Sequence, residues 1–133
     1  MDQDKPGIFN ELRMNRVVLL GFFFWHASAG ADEFFTSKIE PLLKQRCYEC
    51  HSHEKKMKAG LTLDSRSGWE QGGDSGPAIV LGKPEESLLI KMVRWSDEDH
   101  QMPPKEKLPE AEIALLEEWV NRGAPDPRVL EKS

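Results

Sequence analysis

The chain of 133 residues has little of several features that mark other classes of protein. It has only two cysteines, which excludes a scaffold held by several disulfide bonds. No apolar run approaches the roughly 20 residues that a transmembrane helix needs. Acidic residues outnumber basic ones and the formal net charge is −5, which argues against a general nucleic-acid binder. Four Trp and six Phe are unlike the composition of a disordered chain, so we expect a small globular domain.

The amino-terminal region has the three parts of a secretory signal peptide. Arg13 and Arg16 form a short basic region, an apolar run covers residues 17–25, and small residues follow up to Ala29 and Ala31. Both alanines end an Ala-x-Ala pattern, so we expect cleavage after one of them. The alternatives are a buried core segment and an uncleaved anchor.

The chain therefore divides into a signal peptide, residues 1–31, and a mature domain, residues 32–133. We expect the mature domain to be periplasmic or otherwise exported. The true start is Met1 or Met14, because residues 1–13 add nothing that a signal peptide needs. Contact with a membrane is expected only through transient docking or an uncleaved signal.

The mature domain has helical periodicity in segments that are separated by Gly-rich and Pro-rich loops. Alternation typical of a sheet is missing, so the predicted fold class is all-α. Trp119 is expected to pack the last helix against Phe34 or Phe35 of the first. The predicted helices cover residues 34–46 with an interruption at Pro41, residues 65–71 with a cap at Asp64 or Ser65, residues 84–94, and residues 109–122.

The two cysteines lie in the segment Cys47-Tyr48-Glu49-Cys50-His51. This spacing is the pattern for covalent attachment of a c-type haem. Two thiols three positions apart reach the two vinyl groups on one edge of a porphyrin, and the histidine that follows directs its imidazole at the iron. Attachment takes place outside the cytoplasm, in agreement with the predicted export. We therefore predict one covalently bound haem c.

Two other interpretations of the cysteines are open at this point. A disulfide or a thioredoxin-like redox pair is possible, but the expected strand–helix–strand context is missing. A zinc site with His51, His53 or His100 is the other, although no second Cys-x-x-Cys pair is present.

Met102 is the predicted second axial ligand of the iron. It lies in a polar loop and is followed by two prolines, which stiffen the backbone. A thioether ligand raises the potential of the iron and closes the site to small molecules. Met92 is expected to fill the core instead, because it lies on the apolar face of a helix. His53 and His100 are the rival ligands, and either would give a bis-histidine site of lower potential.

These motifs, in this order, resemble the planctomycete-type cytochrome c domain, a branch of the class I cytochrome c fold. The resemblance spans essentially the whole mature domain, and its haem motif is the most specific part. The matching stretches are residues 39–43, Cys47 to His51, residues 60–65, residues 72–78, residues 82–89, residues 102–104 and residues 119–125.

The resemblance implies a small cytochrome c-like helical fold around the haem. It implies that Cys47 and Cys50 bind the haem covalently, that His51 is the proximal ligand and that Met102 is the distal one. It also implies that the carbonyl of Pro77 accepts a hydrogen bond from His51. Domains of this type commonly open a longer protein, so both a free-standing carrier and a piece of a longer chain fit the resemblance.

An iron with two protein ligands only exchanges electrons, so we expect an electron carrier and not an enzyme. Its partner would be a redox protein, a dehydrogenase or an oxidase. The alternative is a haem-based sensor in which a diatomic ligand displaces Met102. Arg66, Trp69 and Lys83 are weaker candidates for hydrogen bonds with the haem propionates.

Overall fold

The computed structural model describes residues 30–128 of the chain. Its contacts divide the chain into two units, residues 1–33 and residues 34–133, and the described end of the first unit is helical. The predicted signal peptide lies almost wholly outside the described residues. In the described part of the chain, no helix has the length and apolar character needed to cross a membrane.

The second unit is helical, which confirms the predicted all-α class. Among residues 34–128 the only extended pairings are isolated bridges, His51 with Met57 and Gly73 with Gly76. Short 3₁₀ turns occupy Lys58–Gly60 and Pro84–Glu86. A π-helical segment, Phe35–Ile39, leads into helix α1, Glu40–Arg46, which is followed by α2, Arg66–Gln71, α3, Leu88–Val93, and α4, Glu110–Asn121.

The first helix changes its winding next to Pro41, as the sequence indicated. Pro41 lies in the first turn of α1, where its missing N–H is tolerated. The preceding residues are wound as a π-helix, in which the N–H of Glu40 bonds to the carbonyl of Phe35. The segment still buries Phe35 and Ile39 on one face, so the change in winding preserves the apolar surface.

Helix α2 begins and ends where the sequence predicts. The hydroxyl of Ser65 accepts a hydrogen bond from the N–H of Gly68 at 3.0 Å, which satisfies one of the free donors at the start of the helix. Gly72 ends the helix with φ of 77°, a conformation that glycine adopts without strain.

The single helix predicted for residues 84–94 is wrong, because the chain breaks at Ser87. Ser87 is fully buried and has an extended backbone with ψ of 123°. Its hydroxyl accepts a hydrogen bond from the N–H of Val80 and donates one to the carbonyl of Lys83, both at 2.9 Å. A serine side chain that bonds to nearby backbone competes with helix formation, and here it separates a 3₁₀ turn from α3.

Helix α4 packs against the first helix through Trp119, and this prediction is confirmed for Phe35. The two rings lie 5.8 Å apart, and Trp69 meets Trp119 edge-on at 5.7 Å. Trp119 is fully buried, and its indole N–H donates to the carbonyl of Pro125 at 2.9 Å. The three aromatic rings therefore form the centre of the core.

The segment after α4 returns to the core through a buried ion pair. Asp126 and Arg128 are bonded to each other at 2.7 Å, and the side chain of Asp126 is fully buried. Asp126 also accepts a hydrogen bond from the indole N–H of Trp69 at 2.9 Å. The guanidinium of Arg128 donates to the carbonyl of Leu63 at 3.1 Å. The carboxyl-terminal segment thus connects α2 with the chain that precedes it.

Candidate functional site

The haem-attachment motif forms a compact turn at the end of α1. The N–H of Cys47 bonds to the carbonyl of Leu43 at 2.9 Å and so completes the helix. The N–H groups of Cys50 and His51 then both donate to the carbonyl of Cys47, at 3.2 and 2.9 Å. Both thiols and the imidazole therefore belong to one turn with little freedom between them.

The motif faces an apolar cavity. The space in front of the motif, with the adjoining open solvent included, is about 900 Å³. Its wall includes Cys47, Cys50, His51 and Met102, four of the five residues that the sequence named. Most of the remaining wall is aliphatic, with contributions from Leu61, Leu63, Ala78, Leu88, Leu89, Val93 and Leu108.

The imidazole of His51 is oriented by a backbone carbonyl. Its Nδ1 lies 3.2 Å from the carbonyl oxygen of Leu61. Because a carbonyl only accepts, Nδ1 must carry the proton, and the lone pair is then on Nε2. This is the tautomer that a metal-binding histidine needs, since the second nitrogen of such a ligand is usually fixed by an acceptor.

The acceptor differs from the predicted one. The resemblance indicated the carbonyl of Pro77, whereas Leu61 takes this place and Pro77 is exposed. Leu61 lies ten residues after His51, in the extended piece that follows the loop. The backbone N–H of Leu63 bonds to the carbonyl of His51 at 2.8 Å, which draws this piece alongside the imidazole. No side-chain pattern could have identified Leu61, because its carbonyl and not its side chain makes the bond.

The loop after the motif is fastened to it by backbone hydrogen bonds. The N–H of Ser52 donates to the carbonyl of Lys56 at 2.8 Å, and the N–H of Lys58 donates to the carbonyl of Cys50 at 2.9 Å. His51 and Met57 form an isolated bridge within this loop. The backbone of His51 is therefore held on both sides.

The thiol of Cys47 lies in an environment that keeps it protonated. Burial raises the pKa of Cys47 to about 12, and the neighbouring Cys50 adds to this effect. Both cysteines are free. Because the thiolate is the form that binds zinc or attacks a disulfide, this environment does not favour either of the alternative interpretations.

The rival metal ligands lie outside the cavity. His53 is exposed and its Nδ1 is 2.7 Å from a carboxylate oxygen of Asp64. His100 is exposed and its Nδ1 is 2.9 Å from a carboxylate oxygen of Asp97. Over residues 30–128, no group of three or more His, Cys, Asp or Glu side chains is placed to hold a metal ion.

Two methionines, and not one, line the cavity. The backbone N–H of Met102 donates to the carbonyl of Met92 at 3.1 Å, so the Met102 loop is fastened to α3. Met92 was expected to fill the core, but it is only half-buried and forms part of the same wall as Met102. The helix position alone did not reveal this, because the apolar face of α3 borders the cavity as well as the core.

The three residues considered for the haem propionates lie elsewhere. The cavity wall includes none of Arg66, Trp69 and Lys83. Trp69 is buried and bonded to Asp126, while Arg66 pairs with Glu70 on the surface of α2. The cation at the wall is Arg46, which no sequence motif indicated.

Arg46 is held in place by the last helix. Its guanidinium lies 3.2 Å from both carboxylate oxygens of Glu112, in a partly buried pair between α1 and α4. Arg46 directly precedes Cys47, so this pair fixes the helix end from which the motif projects.

The residue types present fit a haem: two thiols, an imidazole with a free Nε2, a thioether and an aliphatic wall.

The comparisons with known proteins agree with this site. Residues 47–106 match the family model of planctomycete cytochrome C, a range that includes the haem motif and the Met102 loop. No match was found among curated proteins or solved structures. The match supports a planctomycete-type cytochrome c domain at residues 47–106.

Proposed function

We propose that this domain is an electron carrier with one covalently attached haem c, held through Cys47 and Cys50 and ligated by His51 and Met102. The observation that carries the proposal is that the wall of one apolar cavity contains all four residues. Bound haem would supply a reversible one-electron exchange at its iron. The domain supplies the attachment, the axial ligands and the exclusion of water.

Each part of the site has a role in this proposal. The Leu61 carbonyl holds the imidazole of His51 with Nε2 free for the iron. The bond from Met102 to the carbonyl of Met92 holds the thioether loop against the cavity. The aliphatic wall lowers the local dielectric and limits the access of solvent to the iron. Both effects help to set the reduction potential of the iron.

The proposal requires no catalytic group. Outside the four named residues, the polar side chains at the cavity wall belong to Arg46, Asp74 and Ser75. Arg46 is paired with Glu112, and electron transfer needs no proton donor or nucleophile. We therefore propose a carrier that serves a dehydrogenase or an oxidase, and not an enzyme.

Export completes the proposal. A c-type haem is attached outside the cytoplasm, so residues 1–31 would direct the chain there and be removed. Cell fractionation with mass analysis of the mature amino terminus tests this. The expected first residue is Gly30 or Asp32, and a haem-bearing protein that retains Met1 or Met14 would contradict the cleavage.

The axial ligation is tested by Met102→Ala beside the matched control Met92→Ala. Both methionines line the cavity, so both changes remove the same volume from it. We expect Met102→Ala to lose the near-infrared sulfur-to-iron band of the ferric protein and to bind carbon monoxide when reduced. Met92→Ala should keep the band.

A band that survives in Met102→Ala would reject Met102 as the ligand. A wild-type protein that is high-spin and binds carbon monoxide readily would instead support a haem-based sensor.

A further inference from the structure

A second cavity opens beside the first. It shares Ser75, Leu88 and Met92 with the wall of the first cavity, and its space, with the adjoining open solvent included, is about 870 Å³. Neither cysteine borders it. A haem attached at Cys47 and Cys50 would have its far edge directed away from the cysteines. The residues that the two cavities share, Ser75, Leu88 and Met92, form one part of the wall that this edge could reach.

A haem brings two carboxylates that need polar partners. These propionates lie on the edge of the porphyrin away from the vinyl groups that the cysteines use. A carboxylate in an aliphatic cavity is costly unless it meets a hydrogen-bond donor or a cation. Arg46, the cation at the wall of the first cavity, is already paired with Glu112 at 3.2 Å.

The second cavity offers one further cation beside a donor that the two cavities share. Lys91 borders it from α3, next to Met92, and Ser75 borders both cavities. Within residues 30–128 the structure gives Lys91 no ion pair. Asp97 and His100 also border the second cavity, where the carboxylate of Asp97 accepts hydrogen bonds from the His100 ring and the N–H of Asp99, both at 2.9 Å.

We propose that Ser75 and Lys91 form the subsite for the propionate carboxylates, with the second cavity as its outlet to solvent. This inference rests on the proposed function, because it assigns the polar edge of the same cofactor. The hydroxyl donates a hydrogen bond and the ammonium supplies a compensating charge, while the aliphatic wall receives the rest of the ring.

The test uses the haem-bearing protein, produced in a host that attaches c-type haem. Resonance Raman spectra record the propionate-bending band, whose frequency rises with the strength of the hydrogen bonds to the carboxylates. The variants are Lys91→Gln and Ser75→Ala, with Lys91→Arg as the conservative change. Lys83→Gln is the matched control, since Lys83 is an exposed cation that borders neither cavity.

We expect the band to move to lower frequency in Lys91→Gln and Ser75→Ala, and to stay in place in Lys91→Arg and Lys83→Gln. The midpoint potential of Lys91→Gln should also fall below that of Lys83→Gln, because losing a nearby cation favours the ferric state. If Lys91→Gln carries attached haem and its propionate-bending band has the same frequency as in the wild type, the proposed subsite is wrong and the proposed function still stands. A colourless wild-type protein overturns both.

Discussion

The guanidinium of Arg128 donates a hydrogen bond to the hydroxyl of Tyr48 at 2.9 Å. Tyr48 lies between the two cysteines of the haem motif, so one of the last described residues reaches the segment that carries the chemistry. The same guanidinium is bonded to the buried carboxylate of Asp126 and lies 4.8 Å from the centre of the Phe35 ring. The carboxyl-terminal segment therefore supports the motif as well as the helical core.

Arg128→Met should destabilise the domain by about 3–5 kcal/mol, because it leaves the buried carboxylate of Asp126 without its charge partner. Unfolding by denaturant measures the change in free energy. The matched control is Arg122→Met, which removes an exposed pair with Glu118 and a contact with the Phe34 ring, and should cost less than about 1 kcal/mol for the pair. Equal losses in the two variants would contradict the role given to the buried pair.

The stability of the domain should depend on Asp126 at low pH. Burial by itself would raise the pKa of Asp126, but the hydrogen bonds from Arg128 and Trp69 outweigh it and lower the pKa below its ordinary value of 3.8. The carboxylate therefore contributes stability above pH 3.8, and this contribution is lost as the pH falls further. The free energy of unfolding should fall less steeply below that pH in Asp126→Asn than in the wild type. Parallel pH profiles would count against this explanation.

Trp119→Ala should cost about 3–5 kcal/mol of unfolding free energy, because it opens a cavity where the first and last helices meet. The ring that is removed is fully buried between Phe35 and Trp69. Leu81→Ala provides the contrast, since that side chain is 59% exposed and its loss should change stability little. Thermal unfolding of both variants gives the comparison, and a tolerated Trp119→Ala would show that the aromatic centre is not essential.

Gly72→Ala should lower the stability of the folded domain more than Gly82→Ala. Both glycines have nearly the same positive φ, 77° and 74°, so an alanine is strained equally at either position. At Gly72 the added Cβ would also lie 2.5 Å from the carbonyl oxygen of Gly76, whereas at Gly82 it meets open space. Because Gly76 borders the cavity, Gly72→Ala should also lower the yield of attached haem. Equal yields and stabilities in the two variants would show that the close approach of Gly72 to Gly76 is not needed for the site.

Local patterns were enough to predict part of this structure. The cap at Ser65 and the end of α2 at Gly72 follow from the properties of neighbouring residues. The motif at Cys47 was found in the same way, because haem attachment depends on the short spacing of its residues. Met102 was predicted as a ligand from its polar loop and the two prolines that follow it.

Other features depend on contacts between distant segments. The break at Ser87 arises from bonds to Val80 and Lys83, which a helical pattern does not reveal. The acceptor for His51 is a backbone carbonyl and has no residue type to identify it. The pair of Arg46 with Glu112 spans 66 positions, so only the fold could show it.

Covalent attachment of haem at Cys47 and Cys50 is the central prediction for this domain. The measurement is a pyridine haemochrome spectrum of the denatured protein, combined with the intact mass, for the wild type and for Cys47→Ala/Cys50→Ala. We predict a c-type haemochrome and the added mass of one haem in the wild type, and neither in the double variant. The wild-type protein must be produced in a host that attaches c-type haem. If it then has the mass of the polypeptide alone and lacks the haemochrome spectrum, the predicted attachment is wrong.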